Sequence, residues 1–426
     1  MKKGFIETPL GIMPSDWKVL RLKEITQIFD GTHQTPNYVS EGIPFFSVEH
    51  VTANDFSKTK YISEEVFEKE NLRVKLERGD ILMTRIGNVG SVRYIDWDVK
   101  ASFYVSLALI KKQLTFDSRY LSQFIKSNSF QNELWKRIIH TAFPKKINLG
   151  EIGKCLVILP PLPEQQKIAE ILSTVDAKIE VIDQQITETK ALKKGLMQRL
   201  LTKGIGHTEF KDSPLGEIPK SWEVVKCESI ADITSSKRVY LSDYTDNGIP
   251  FFRGKEITQL AKGEKLNDLV YIKEETFVEF KNRFGAPKEG DILITAVGTI
   301  GSIYMVNSSD NFYFKDGNLM WLREINSRLN KQFITHYFRS IIFQNLIDII
   351  SSGSSQKALT IVKFKMLPVV IPPIGEQKKI SEILDSIYEK LSVLEEKKTH
   401  YQELKQGLMQ QLLTGKIRVN NLIAQI

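Results

Sequence analysis

Six short stretches of this chain carry side chains suited to holding a polyanion. In order they are Thr32, His33, Gln34 and Thr35; Arg85 and Asn88; Thr141, Lys145 and Lys146; Ser235, Ser236, Lys237 and Arg238; Arg253 and Lys255; and Ser354, Ser355, Gln356 and Lys357. Arg and Lys can pair with guanine O6 and N7, Gln and Asn can bracket adenine, and Ser, Thr and Lys can hold phosphates. Taken singly, each residue is equally well read as a solvated loop residue. Lys145 and Lys357 carry more weight, because they occupy the same place in a repeat described below.

No residues with catalytic spacing accompany them. The six histidines, His33, His50, His140, His207, His336 and His400, are scattered, without a metal-ligand pattern. There is no Gly-x-Ser-x-Gly elbow, no Walker lysine, and no Asn-Pro-Pro-Phe or Asp-Pro-Pro-Tyr. Gly87-Asn88-Val89-Gly90 and Gly298-Thr299-Ile300-Gly301 lie between strand-like runs and are turns, not phosphate loops. Asp80 and Asp291 each follow a glycine and read as turn residues. Cys155 and Cys227 are far apart and suit neither zinc nor a disulfide framework.

The elements that position these loops occur twice. Pro161-Leu162-Pro163-Glu164-Gln165 through Ile171-Leu172 returns as Pro373-Ile374-Gly375-Glu376-Gln377 through Ile383-Leu384, 373 − 161 = 212 positions on. Pro9-Leu10-Gly11 recurs as Pro214-Leu215-Gly216, and Gly42-Ile43-Pro44-Phe45-Phe46 as Gly248-Ile249-Pro250-Phe251-Phe252. The offset grows from 222 − 17 = 205 at the tryptophan to 212 at the helix, so divergence falls inside the modules. A constant scaffold with varied loops suggests readers of two different half-sites, and hence an asymmetric target. The expected divisions are module one at 1–160, a helix at 161–204, module two at 205–372, a second helix at 373–415 and a tail at 416–426.

Glu164 and Glu376 sit where the macrodipole of a new helix favours an anion. Heptad spacing follows in both copies: Ile168, Leu172, Val175, Ile179, Ile182, Ile186, Leu196 and Leu200, then Ile380, Leu384, Ile387, Leu391, Leu394, Tyr401, Leu408 and Leu412. Lys193, Lys398 and Lys405 interrupt the seams. Residues 164–202 would form a rod about 58 Å long, which needs a partner. The other copy's helix is the expected one, paired antiparallel as a ruler between two domains; the alternative is that each helix only packs along its own module. Gly195 and Gly407 recur inside the rods and suggest a kink or a close helix contact. The modules alternate short β-rich runs with helical stretches, so the fold class is α+β: two similar globular domains joined by two long antiparallel coiled-coil helices in a pseudo-twofold tandem repeat.

Composition agrees with two domains. The chain has 426 residues, 42% hydrophobic and 26% charged, and Lys plus Arg exceed Asp plus Glu by 59 − 51 = 8. The basic balance favours a polyanionic partner. No apolar run is long enough to span a bilayer, and Met1-Lys2-Lys3 has no apolar stretch behind it, so the cytoplasm is the expected location and no membrane partner is expected.

The repeated Pro-x-x-Glu-Gln-x-x-Ile-x-x-Ile-Leu helix start, the Gly-Leu-Met-Gln-x-Leu-Leu-Thr helix end and the Pro-Leu-Gly-x-(Ile/Met)-Pro-x-x-Trp opening of each module together resemble the specificity subunit of type I restriction-modification enzymes. The likeness covers nearly the whole chain. It implies two target recognition domains, each reading half of a bipartite double-stranded DNA sequence across an unread spacer, held apart by paired helices. It also implies docking of two methyltransferase (modification) subunits, which carry S-adenosylmethionine and methylate adenine N6, with a pair of restriction motor subunits able to join. This chain would then be non-catalytic, with no cofactor or metal of its own. Two other classes stand beside that reading: a coiled-coil scaffold without sequence preference on DNA, and a stand-alone nuclease or methyltransferase, against which the missing motifs argue.

Overall fold

The computed structural model describes residues 4–352 and 357–423. The chain folds as two compact units, Met1–Asp183 with Glu396–Ile426 and Gln184–Glu395. Each unit is built on the same plan. In the first, an antiparallel sheet orders Ile28–Asp30, Leu107–Ile110, Ile81–Thr84 and Val92–Tyr94. In the second, Asp232–Thr234, Leu319–Arg323, Ile292–Thr295 and Ile303–Met305 repeat it. A smaller sheet stands beside each, centred on Ile43–Phe46 and on Ile249–Phe252. The central strands are buried along their whole length, so they read as continuous apolar runs and not as alternation.

The helical stretch expected in each module is two helices, Ser118–Ile125 with Asn128–Trp135 and Lys331–Arg339 with Ile341–Ser351. Ser127 and Ser340 cap the second helix of each pair through the amides of Phe130 and Phe343. Gln131 and Gln344 then donate to the carbonyls of Gly90 and Gly301, which fixes both glycine turns to a helix. Asp80 and Asp291 are turn residues as expected, accepting from the amides of Glu77 and Lys288. Cys155 and Cys227 are free and buried, and burial pushes the Cys155 thiol up to about 12.

The long helices span Leu162–Leu200 and Ile374–Leu412. In the first unit the beginning of one helix meets the end of the other: Ile168 and Leu172 share a core with Leu412 and Leu413. In the second unit Leu200 and Leu201 share a core with Ile380 and Leu384. The pairing is therefore antiparallel in both. Each helix also joins its own unit's sheet-backed core, so the alternative packing raised from sequence coexists with the seam. Ile168, Leu172, Val175, Ile182, Ile186, Leu200, Ile380, Leu384, Leu391, Leu394 and Leu412 are buried, while Ile179, Leu196, Ile387, Tyr401 and Leu408 are half-buried. Thr189 is buried at the seam position between Ile186 and Lys193.

The seam lysines have partners. Lys405 pairs with Asp176 and Lys398 with Asp183, each at 2.6 Å, while the Lys193 ammonium lies 3.6 Å from the Tyr388 ring centre. The glycines expected to mark a kink or close contact mark neither. Gly195 and Gly407 are exposed inside unbroken helices, and a Cβ on either would meet nothing within 4 Å.

Both helix starts are held by one carboxylate. Glu164, 1% exposed, accepts from the Trp17 indole at 3.0 Å and from Arg418 Nε at 2.7 Å, and Arg418 also grips Asp16. That arginine holds the Asp16 carboxyl below its ordinary range. Glu376 accepts from the Trp222 indole at 3.0 Å, from the Ile205 amide at 2.9 Å and pairs with His207 at 2.8 Å. The neighbouring glutamines work alike: the side-chain oxygens of Gln165 and Gln377 accept from the amides of Asp117 and Asn330. The turns that bring Arg418 and His207 back require glycine. Gly415 (φ 69°) and Gly204 (φ 64°) are left-handed, and a Cβ would lie 2.4 Å from Pro14 and 2.3 Å from Glu376 respectively.

Two outcomes follow. Glu164→Ala strands the Trp17 N–H and the Arg418 guanidinium, and urea melts should show a loss of about 2–4 kcal/mol in the first unit. Gly195→Ala and Gly407→Ala should each add about 0.5–1 kcal/mol in the same assay, since alanine fits without strain.

Candidate nucleic-acid interface

In the first unit two of the sequence-selected residues, His33 and Arg85, meet at Asp30, at the end of the strand Ile28–Asp30. The Arg73 guanidinium lies 2.5 Å from its carboxylate, His33 Nε2 3.0 Å and Arg85 3.6 Å. Arg85 is anchored further by the carbonyls of Val105 (2.7 Å) and Ile147 (3.3 Å). Burial lowers the pKa of its guanidinium, and Asp30 beside it acts against that shift. The segment at 139–147 is tied to the glycine turn: the Gly87 amide donates to the Lys145 carbonyl at 2.8 Å, the Ile147 amide to the Arg85 carbonyl at 2.9 Å, and Ile86 bridges to Lys146. The turn at Asn88 and the segment carrying Lys145 and Lys146 are thereby held side by side.

The second unit ties its glycine turn to the matching segment in the same way. Val297 bridges to Ala358, and the Leu359 amide donates to the Ala296 carbonyl at 2.8 Å. Lys357 is thus beside its glycine turn just as Lys145 is beside the other, and the repeat equivalence read from sequence holds in space. Strand register sets Thr234, opposite Trp321, where the first unit has Phe29, opposite Leu109, so Ser235 stands in the place of Asp30. Ala296 occupies the place of Arg85. At these matching positions the second unit carries no charge.

Several selected residues are committed to the fold. Thr32 is buried, its amide donating to the Phe103 carbonyl and its own carbonyl accepting from Val105. Ser236 is buried and donates to the Phe314 carbonyl, and Ser235 donates to the Leu319 carbonyl. Arg85, only 11% exposed, belongs with them. These four are hydrogen-bonded into the loops they stand in. Arg253 is half-buried and chelated by Glu256, whose carboxylate is wholly buried.

His33, Gln34, Thr35, Asn88, Thr141, Lys145, Lys146, Lys237, Arg238, Lys255 and Lys357 are exposed. Arg238 pairs with Asp316 at 3.1 Å, and Lys237 lies over the Phe284 ring. Ser354, Ser355 and Gln356 lie outside the described residues. Arg73, half exposed on Asp30, was not singled out from sequence, since no repeat or motif marks it. Among the described residues no group of three or more His, Cys, Asp or Glu side chains could hold a metal, and no helix is long and apolar enough to cross a membrane.

Two recognition-like units on a shared plan, carried on paired antiparallel helices, define a class that comparison with known proteins identifies. The family model described as the type I restriction modification DNA specificity domain matches residues 14–191 and again 219–406. The chain belongs to the type I restriction-modification specificity family. A putative type I restriction enzyme MjaX specificity subunit of Methanocaldococcus jannaschii is 28% identical over 434 residues, covering 98% of this chain and 97% of the relative. The MjaVIII specificity subunit of the same organism is 29% identical, covering 96% and 95%. The crystal structure of a type I restriction-modification S subunit from M. genitalium shares the fold with a TM-score of 0.61 at 14% identity, covering 93% of this chain and 96% of that one.

The division between bracing and presented residues can be tested directly. Arg85→Ala should lower stability by roughly 2–4 kcal/mol, because it leaves Asp30 and two carbonyls short of a donor. Lys145→Ala and Lys146→Ala should stay within about 0.5 kcal/mol of the parent in the same thermal melts.

Proposed function

We propose that this chain is the DNA-reading, non-catalytic subunit of a type I restriction-modification complex, with each unit reading one half of an asymmetric bipartite double-stranded sequence across an unread spacer. The observation that carries the reading is the exchange of side chains between copies. An Asp30–Arg85–Arg73 cluster beside the loops of one unit gives way to Ser235 and Ala296 at the matching positions of the other, while the tie between the glycine turn and the lysine segment is kept. Identical scaffolds with different chemistry beside the reading loops suit two different half-sites. Lys145, Lys146, Lys237, Lys255 and Lys357 supply salt-dependent phosphate contacts, and Gln34, Asn88 and Arg238 supply contacts to base edges.

The helices offer docking faces for two methyltransferase subunits. With the seam filled, Val181, Leu192, Ile383, Val393 and Leu404 still stand exposed along the helices, an apolar surplus of the kind that marks partner contacts. The partners would carry S-adenosylmethionine and methylate adenine N6 after extruding the base; two restriction motor subunits would complete the nuclease form. A scaffold without sequence preference is the competing reading.

Coexpression with modification subunits in a host lacking adenine methylation, followed by genome-wide mapping of N6-methyladenine, separates them. An asymmetric bipartite motif with a fixed spacer is the expected result; an assembled complex that leaves no methylated motif overturns the proposal. Lys145→Ala and Lys357→Ala should each weaken binding evenly across sequences and reduce the salt slope of log K by about 1.

A further inference from the structure

At the tip of the segment 140–145 in the first unit, Phe143 is fully exposed, with 103% of its reference surface accessible. Its loop is not loose. The Ile139 amide donates to the Lys146 carbonyl at 2.8 Å and closes the base, and the bonds from Gly87 and Ile147 pin the returning strand to the glycine turn. On the near side, His140 stacks edge-on against Trp135 at 4.4 Å and bonds its carbonyl, while the Lys145 ammonium lies 4.9 Å from the same indole. Trp135 is itself 57% exposed. Lys145 and Lys146 form no ion pair among the described residues.

An aromatic ring held out on a braced loop, with two unpaired cations behind it, fits neither a core residue nor a polar reader. It fits the apolar wedge that DNA-binding proteins push between base steps while basic neighbours hold the flanking phosphates. The second copy lacks the device: at the repeat offset of 212 set by Lys145 and Lys357, the position of Phe143 is Ser355. The feature is thus particular to one half-site and is not needed by the scaffold.

We propose that Phe143 inserts between adjacent base pairs of the half-site read by the first unit, opening one base step while Lys145 and Lys146 bind the phosphates beside it. This rests on the DNA-reading function above and assigns a residue and a mode of contact to it. The duplex is distorted at that step by this chain and not by the methyltransferase.

The test uses the full chain assembled with its modification subunits, on a synthetic duplex carrying the motif that methylation mapping returns. 2-Aminopurine is placed in turn at positions along that half-site other than the methylated adenine. The parent complex should brighten the probe at one step. Phe143→Ala should abolish that signal and weaken binding roughly ten- to hundredfold, with an unchanged melting temperature, while Phe143→Leu should retain much of both. Specific binding by the parent with Phe143→Ala indistinguishable in signal and affinity overturns the wedge alone. A parent complex that binds motif and scrambled duplexes alike overturns the DNA-reading function, and the wedge with it.

Discussion

Each unit is organised around a carboxylate in the first turn of a long helix, buried at Glu164 and half-buried at Glu376. Glu164 ties together the tryptophan that opens its module, the helix it begins and the arginine that follows the other helix's end. Glu376 does the same with Trp222, the loop after the first long helix, and His207. A charge that deep is tolerable only with several donors aimed at it. The donors come from segments remote in sequence: Trp17 stands 147 positions before Glu164, and Arg418 stands 254 positions after it. Satisfying one carboxylate therefore brings three distant parts of the chain to one point. The adjacent Gln165 and Gln377 extend the same economy to the recognition side by accepting from the residues that cap Ser118–Ile125 and Lys331–Arg339.

From that point outward the copies diverge in steps. The turn geometry is shared to the level of single hydrogen bonds: Thr84 and Thr295 bond the Asn88 and Thr299 carbonyls and accept from the Ser91 and Ser302 amides. Beside that shared turn the side chains differ: Asp30 and Arg85 in one unit stand where the other has Ser235 and Ala296.

Much of this was legible in the sequence, and the boundary of legibility is physical. The seam could be read because a heptad leaves its period in the chain, and the antiparallel partner because the two copies carry the same period. The repeated Pro-x-x-Glu-Gln and Pro-x-x-Trp motifs were visible as marks of a helix start and a module start, yet nothing local says that the glutamate accepts from the tryptophan. Arg418 and His207 escaped notice because they play matching parts one position out of register, 418 − 212 = 206, with different side chains. Arg85 and Ser236 were selected as presented polar groups because burial of a polar residue beside a strand depends on which distant carbonyls surround it. Gly195 and Gly407 misled for the converse reason: a repeated glycine signals closeness only if something is near, and nothing is.

The lysines set among the leucines act as a lock on sliding. A seam of leucine and isoleucine alone would accept a shift of seven residues with little loss, because each knob would find an equivalent hole. Here one such shift would take Lys405 from Asp176 and set it against Ala169, and the opposite shift would carry Lys398 from Asp183 to face Lys190. Polar groups at seam positions commonly trade stability for a single alignment. Each shift keeps one pair, since Lys398 would meet Asp176 in the first and Lys405 would meet Asp183 in the second, so only the native alignment satisfies both lysines at once.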